Sequence, residues 1–320
     1  MQTSDLVERP TIQDSEPNIF QGKKVIVLIP AFNEERFIGS VILKLKKFPV
    51  DIIVVDDGSS DDTAAIARMA GVVVFRQEDN QGKGVALNTG LRAARESSPD
   101  VIVMLDADGQ HLPEDLPQVV KPILNDEADI VIGSRYIDNT SNTPLVRRWG
   151  HRFFNIATTI PTGIPVSDSQ SGYRAFSKHA FELADFHSNG FSVESEMQFF
   201  AHENHLRVME VPITIRYTDK PKRSLFGQGM GVLGGIIRLT GQYRPLLYFG
   251  VAGIFILLLG IGWGLIVVQR FEQTHVLAVG YAMICLLLCI IGLIMLSTGF
   301  ILHSVRGLLT EMLSKLSHPE

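Results

Sequence analysis

The stretch Val101–Gln110, VIVMLDADGQ, sets two carboxylates one residue apart directly after an unbroken apolar run. Asp106 and Asp108, with the Gln110 amide two residues on, make a hard oxygen donor set. Such a set suits Mg2+ or Mn2+, with diphosphate oxygens completing the shell. The run before it is short and β-branched, as expected for a strand buried on both faces of a parallel sheet. Ligands of open α/β sheets bind at the carboxyl ends of the strands, where these residues would fall. A lone Asp-x-Asp is explained equally well as an acidic turn, because Asp and Gly are ordinary turn residues. The rest of the chain has to decide.

Four further segments supply polar groups at the ends of apolar runs. Pro30-Ala31-Phe32-Asn33-Glu34-Glu35 reads locally as a helix-capping turn. Asp56-Asp57-Gly58-Ser59-Ser60-Asp61-Asp62-Thr63 carries more carboxylate than a cap requires, and one of them could accept from a nucleobase N–H or a ribose hydroxyl. Asn80-Gln81-Gly82-Lys83-Gly84 opens a helix with glycines and a lysine, a plausible phosphate cradle without the spacing of a P-loop or dinucleotide fingerprint. Gly133-Ser134-Arg135-Tyr136 adds a cation. Each segment alone is ordinary turn chemistry; five of them on one rim are hard to obtain by accident.

The elements that must position these residues follow from the apolar pattern. Strands are expected at Val25–Ile29, Ile52–Val55, Val72–Phe75, Val101–Leu105 and Ile130–Ile132. Helices are expected at about Glu35–Lys47, Asp61–Ala70, Lys83–Arg95 and Pro113–Leu124. This alternation predicts right-handed βαβ units and a mostly parallel sheet. A less regular section follows, with a helix near Val193–His205 and a strand at Val208–Tyr217.

The chain has 320 residues and a formal charge of −5, which argues against a nucleic-acid partner. The charge is uneven: Arg207, Arg216, Lys220, Lys222, Arg223, Arg238 and Arg244 face only Glu210 and Asp219 over that interval. The most apolar part of the chain comes next. Leu246–Val268 and Val276–Leu302 run for 23 and 27 residues without a formal charge, each longer than the roughly 20 needed to cross a bilayer. Arg238 and Arg244 before them, and His303, Arg306 and Lys315 after them, predict a hairpin with both ends in the cytoplasm. Gly260 and Gly264 form a small-xxx-small pair, which would suit helix association. Cys285 and Cys289 lie one turn apart inside the second run and read as small apolar residues. Met1–Asn18 is polar, has no apolar signal-peptide core, and reads as a disordered leader. Arg147, Arg148, Trp149, Arg152, Phe153 and Phe154 mix cations with aromatics, as either an interfacial helix or a half-buried amphipathic one would.

The order PAFNEE, VVDDGSSDDT, NQGKG, LDADGQ, IGSRY, DSQSGYRAF, then RYxxKPKRS and an apolar hairpin, resembles the family 2 glycosyltransferases. The nearest group is the dolichyl-phosphate mannose synthases and other polyprenyl-phosphate glycosyltransferases, and the resemblance covers roughly residues 23–240. It implies a catalytic domain of GT-A type, Rossmann-like with a mostly parallel sheet, joined to a C-terminal transmembrane hairpin. The implied divisions are a leader (1–20), the catalytic domain (21–224), a juxtamembrane interfacial helix (225–244), two transmembrane helices (245–303) and a cytoplasmic tail (304–320). The implied setting is the cytoplasmic or endoplasmic-reticulum membrane, crossed more than once, with catalysis on the cytoplasmic face.

Position by position, the resemblance makes Pro30, Ala31, Asn33, Glu34 and Asp57, beside Asp56, a pocket for the donor nucleoside. Lys83 would approach the donor's phosphates or sugar, and Ala107 would be among the substrate-binding residues. Asp106, Asp108 and Gln110 would hold Mg2+ or Mn2+. Arg135 would neutralise charge near the diphosphate or acceptor, and Asp168 matches the acidic residue near the acceptor. Arg216, Lys222, Arg223 and Ser224 would be the basic segment that closes over the phosphates. Glu194 and Glu196 compete for the acceptor role, although helix-surface charge is the simpler expectation for them. The implied reaction moves one sugar from a UDP- or GDP-sugar to dolichyl or undecaprenyl phosphate with inversion. A homo-oligomer through the transmembrane helices is compatible with the glycine pair.

Three rivals are weaker. A processive polysaccharide synthase would carry Gln-x-x-Arg-Trp after the catalytic aspartate, whereas Arg148-Trp149 precedes Asp168 and lacks the glutamine. A non-catalytic scaffold on the same fold fits poorly with an intact DxDxQ. An oxidoreductase would need Gly-x-Gly-x-x-Gly after the first strand.

Overall fold

The computed structural model describes residues 20–137, 145–186, 193–216, 225–276 and 278–317. Its seven strands are β1 (Val25–Ala31), β2 (Asp51–Asp56), β3 (Val73–Arg76), β4 (Val101–Met104), β5 (Ile130–Ser134), β6 (Arg174–Ser177) and β7 (Val208–Pro212). They form one sheet in the order β3-β2-β1-β4-β6-β5-β7. All neighbours are parallel except β6, which runs antiparallel to both β4 and β5. The fold is GT-A like, and the mostly parallel sheet matches the expectation.

β1 shows why the sheet is central. All seven of its residues are buried, and successive side chains point to opposite faces. Val25, Val27 and Ile29 join one apolar core, with Ile38, Val41, Ile42 and Leu45 of α1 (Glu35–Leu45). Ile26 and Leu28 join the other, with Ala86, Leu87, Leu91 and Ala94 of α3 (Lys83–Glu96). The i, i+3, i+4, i+7 spacing on α1 is the stripe that a one-sided helix needs. The remaining elements of this layer are α2 (Thr63–Met69), a 3-10 turn Pro113–Asp115 leading into α4 (Leu116–Leu124), α5 (Leu145–Thr162), α6 (Lys178–Leu183) and α7 (Val193–Glu203).

Two elements depart from the sequence expectation. β6 is unexpected: it is four residues long and begins with a charged side chain, so it carries no strand pattern. β7 ends at Pro212 rather than running on toward Tyr217, because proline cannot donate to a ladder. Ile215 still makes an isolated antiparallel bridge to His111, and Tyr217 lies outside the described residues.

The C-terminal part consists of α8 (Leu225–Tyr243), α9 (Pro245–Thr274) and α10 (Val279–Ser317). The last two have apolar windows of mean hydropathy 2.7 and 2.8, and only 11% and 6% of those windows is buried. A core helix of a soluble domain would be covered; these present Val251, Phe255, Leu258, Leu265, Met283 and Leu293 outward. They are long and apolar enough to cross a membrane. The Gly260–Gly264 pair is used inside the hairpin: a Cβ on either would stand 2.8 Å from Cys289 Sγ or Cys285 Sγ of α10. That face is therefore occupied within the chain.

Candidate active site

The antiparallel strand builds the site. β1, β2, β4 and β5 all end on one rim, and β6, running the other way, starts there. Arg174 pairs in register with Met104 on one side and Ile132 on the other. The loop 168–173 is thereby delivered to the ends of β4 and β5. Close approach is tight enough to demand glycine at Gly172, where an added Cβ would lie 2.2 Å from Asp106 Oδ2.

At the β1–β2 end, Ala31 O accepts from the Asp57 backbone N–H at 2.8 Å. Pro30 and Ala31 stand in register with Val55 and Asp56. Asn33 takes a left-handed backbone (φ 55), and its Oδ1 accepts from Ser60 N at 2.9 Å. Glu34 N donates to Thr63 Oγ1 at 2.8 Å. Asp56 is fully buried beside Arg76, with Nε 3.3 Å from Oδ2. Asp57 accepts from Gln81 N at 2.8 Å and Gly82 N at 2.9 Å, tying the second segment to the third. Burial raises its pKa, with those two N–H groups working against the shift. Gly58 makes this join possible, since at φ +70 a Cβ would lie 2.6 Å from the Asp79 carbonyl carbon.

Lys83, the first residue of α3, spans the centre of the rim. Its Nζ donates to Asp106 Oδ1 at 2.5 Å and to Glu194 Oε1 at 2.6 Å. Burial alone would lower the pKa of Lys83, but the two carboxylates outweigh it and raise it. Burial would raise Asp106, but the Lys83 ammonium foremost, with the Arg135 guanidinium beyond it, holds it below the usual carboxylate range instead. Asp108 has the opposite fate: burial, followed by the negative charge of Asp106, pushes it up to about 6. Its Oδ1 accepts from Gln110 N at 3.0 Å. His111 is buried with its Nε2 4.0 Å from Asp106 Oδ2, and burial depresses it to about 4. The Arg216 backbone N–H donates to Gln110 O at 2.9 Å, so Arg216 is carried to the same loop, with its side chain exposed.

At the β5 end Arg135 makes a bidentate pair with Asp168, Nε to Oδ2 at 2.5 Å and Nη2 to Oδ1 at 2.6 Å. Asp168 is fully buried, and its backbone N–H donates to Glu210 Oε1 at 3.0 Å. Arg174 is buried too, with its guanidinium on Ser171 O (2.9 Å) and Ser169 O (2.8 Å). Burial lowers its pKa, while Glu194, Asp168, Glu210 and Asp106 oppose this. The side chains of Asp106, Glu194, Asp168 and Glu210 thus lie among three cations, Lys83, Arg135 and Arg174, in an array that is buried at Asp168 and Arg174 and partly exposed at Lys83 and Asp106.

The structure brings together Asp106, Asp108, Lys83, Arg135 and Asp168, and separately joins Asn33, Asp56 and Asp57 at the other end of the rim. Lys222, Arg223 and Ser224 lie outside the described residues. One expectation is corrected: Glu194 and Glu196 are not helix-surface charge, since both are 3% exposed. The α7 face carrying them packs inward, and Glu194 is matched by Lys83 rather than by water. Sequence reasoning assigns no part to Arg174, Glu210 or His111. Only Arg174 gives any signal, as a charge inside the DSQSGYRAF run.

The donor set fits a divalent metal. Among the described residues no three His, Cys, Asp or Glu side chains converge on one point. Asp106, Asp108 and the Gln110 amide would be the protein's oxygen ligands, the pattern by which Mg2+ is held together with substrate phosphates. Gly172 keeps the Asp106 carboxylate clear, as such a site requires.

The base of the hairpin meets the far end of α7. Arg306 of α10 pairs with Glu203, donates from Nη1 to Gln242 O at 2.7 Å, and stacks over the Tyr243 ring at 4.8 Å. Arg244 contacts His202 and donates to Pro161 O at 3.0 Å.

A mostly parallel sheet with paired aspartates, a lysine and a bidentate arginine on its carboxyl rim defines a GT-A-like glycosyltransferase. The sequence model described as "Glycosyl transferase family 2" matches residues 26–183. A UDP-N-acetylglucosamine–dolichyl-phosphate N-acetylglucosaminyltransferase of Methanococcus voltae is 37% identical over 220 residues, 62% of this chain and 87% of that one. A polyprenol monophosphomannose synthase of Mycolicibacterium smegmatis is 30% identical over 249 residues, 69% and 92% of the two chains. The crystal structure of glucosyl-3-phosphoglycerate synthase from Mycobacterium tuberculosis with Mn2+, UDP and phosphoglyceric acid superposes with a TM-score of 0.54 at 25% identity. That match covers 69% of this chain and 79% of that one. The chain belongs to glycosyl transferase family 2, and it is a glycosyltransferase with relatives that act on polyprenyl phosphates.

Proposed function

We propose that this protein transfers a single sugar from a nucleotide-sugar to a polyprenyl phosphate held in the membrane, with inversion at the anomeric carbon. The observation that carries this reading is α7. Its first turn holds Glu194 against Lys83 in the site, and its last residue, Glu203, meets Arg306 at the base of the hairpin. Nine residues at 1.5 Å each separate those points by only about 14 Å. If α9 and α10 span the bilayer, the site stands at headgroup height, where a lipid phosphate is in reach.

The residues divide the work by charge. Asn33, Asp56 and Asp57 serve the nucleoside end; the oxygens of Asp57 each keep a lone pair beyond the N–H they accept. Asp106, Asp108 and Gln110 would hold Mg2+ or Mn2+, which when bound supplies charge neutralisation to the diphosphate leaving group. Arg135, fixed by Asp168, is a preorganised cation near the reacting phosphates. On this reading Asp168 is a positioning residue. A phosphomonoester has a second pKa near ~6, so at neutral pH the acceptor is already anionic and needs little help from a base. Arg216, with Lys222, Arg223 and Ser224, would close over the phosphates. The catalytic domain (21–224), interfacial helix (225–244), hairpin (245–303) and tail (304–320) divide the chain, with catalysis on the cytoplasmic face. The donor is a UDP- or GDP-linked sugar.

A donor screen tests the reading: labelled UDP- and GDP-sugars, Mn2+, and polyprenyl phosphate in liposomes with the full chain. One donor should move label into the organic phase, and Asp108→Ala should abolish it. Absence of transfer from every donor, despite metal-dependent nucleotide binding, would contradict the lipid acceptor.

A further inference from the structure

Lys83 presents a conflict. Asp106 is offered to a divalent metal, yet its Oδ1 already carries an ammonium at 2.5 Å, and a dication beside an ammonium is repelled by it. The other partner of Lys83 is unusual. Glu194 is 3% exposed and uses Oε1 on Lys83 at 2.6 Å, while its Oε2 is buried without a hydrogen-bond partner. One turn further along α7, Gln198 is 1% exposed with both polar atoms equally unpartnered. Buried polar atoms left unmatched are uncommon and call for an explanation. Glu194 therefore has unused capacity for a cation, at the position from which Lys83 would be received if it left Asp106.

We propose that Lys83 is an exchangeable counter-ion: it guards Asp106 until a divalent metal binds there, and Glu194 then retains it within the site. Glu194 acts through Lys83 and is a positioning residue. Because an ammonium has three donors, Lys83 held by Glu194 keeps hydrogen bonds for the donor's phosphates. Asp106 thus has a cation against it both before and after the metal binds. This inference rests on the metal reading given under Proposed function.

Mn2+ binding to the full chain in detergent, without nucleotide, tests it by the loss of the free-ion electron paramagnetic resonance signal. Lys83→Met should bind Mn2+ about tenfold more tightly than the parent, while transfer falls at least tenfold. Glu194→Gln, nearly isosteric, should weaken Mn2+ binding several-fold, because Lys83 is then left to Asp106 alone. In the Lys83→Met background Glu194→Gln should have little further effect; with Lys83 present, Glu194→Asp should keep part of the affinity that Glu194→Gln loses. Unchanged or weaker Mn2+ binding by a folded Lys83→Met would overturn the inference while leaving the metal reading intact. So would a Glu194→Gln effect that persists undiminished without Lys83, since Glu194 would then act by its own charge. No Mn2+ binding by the parent, even with nucleoside diphosphate, would overturn the metal reading and this inference together.

Discussion

At Asp106 a single missing methyl decides the geometry. A Cβ on residue 172 would collide with the Asp106 carboxylate, which Lys83 holds in place. Gly172→Ala should therefore cost about 1–3 kcal/mol, the usual range for overpacking, and should cut transfer at least tenfold. Thermal unfolding and initial rates measured on the same sample check both halves. His111 gives a pH signature. Burial holds its folded pKa at about 4, against 6.5 when unfolded. Between those values the unfolded chain binds the extra proton, so stability falls as pH drops from 6.5 toward 4. At about 1.4 kcal/mol per unit the loss approaches roughly 3 kcal/mol. A melting series of the parent against His111→Gln should show the acid-side slope shrinking in the variant. The carboxylates of the strand ends were legible in the sequence because each follows an apolar run, and Lys83 because it sits among glycines at a helix start; Glu194 was not. A glutamate on a helix ordinarily faces water, and only the fold shows a lysine 111 positions earlier lying against it.

Elements carry these residues to one another. α3 lies flush on β1 because Gly90 has no side chain: a Cβ there would come within 2.0 Å of Leu28 Cδ1, and Leu28 is fully buried. Gly90→Ala should cost about 1–3 kcal/mol, the usual range for overpacking, measured as a lowered denaturation midpoint. It should also weaken donor binding, since Lys83 starts the same helix. The parallel strands were readable from their β-branched runs. β6 was not, because its Arg174 is satisfied by two carbonyls and by four nearby carboxylates, a solution that no local pattern announces. Yet β6 is what turns the rim into a site. Without an antiparallel strand between β4 and β5, residues 168–173 would leave from the opposite end of the sheet.

On the scale of the whole molecule, the catalytic layer and the apolar hairpin meet through α7, α8 and two arginines, Arg244 and Arg306. At 1.5 Å per residue the 39 residues of α10 extend about 58 Å, well beyond a hydrocarbon core of about 30 Å. Its surplus is what returns Arg306 to Glu203 and Tyr243. The ion pair is partly exposed, 27% and 38% for the two side chains, so it contributes little to stability, on the order of 0–1 kcal/mol. Arg306→Ala should leave nucleotide binding by calorimetry unchanged and raise KM for a membrane-held acceptor several-fold. The apolar runs themselves were plain in the sequence. Their docking to α7 was not, because it depends on single long-range contacts.

The central claim, one sugar placed on a lipid phosphate, is tested most directly by the mass of the product. The full chain in liposomes containing polyprenyl phosphate, given its donor and Mn2+, should yield lipid heavier by a single sugar residue and labile to mild acid. Unmodified lipid beside a sugar attached to a water-soluble phosphate acceptor, or a ladder of many sugars, would contradict it.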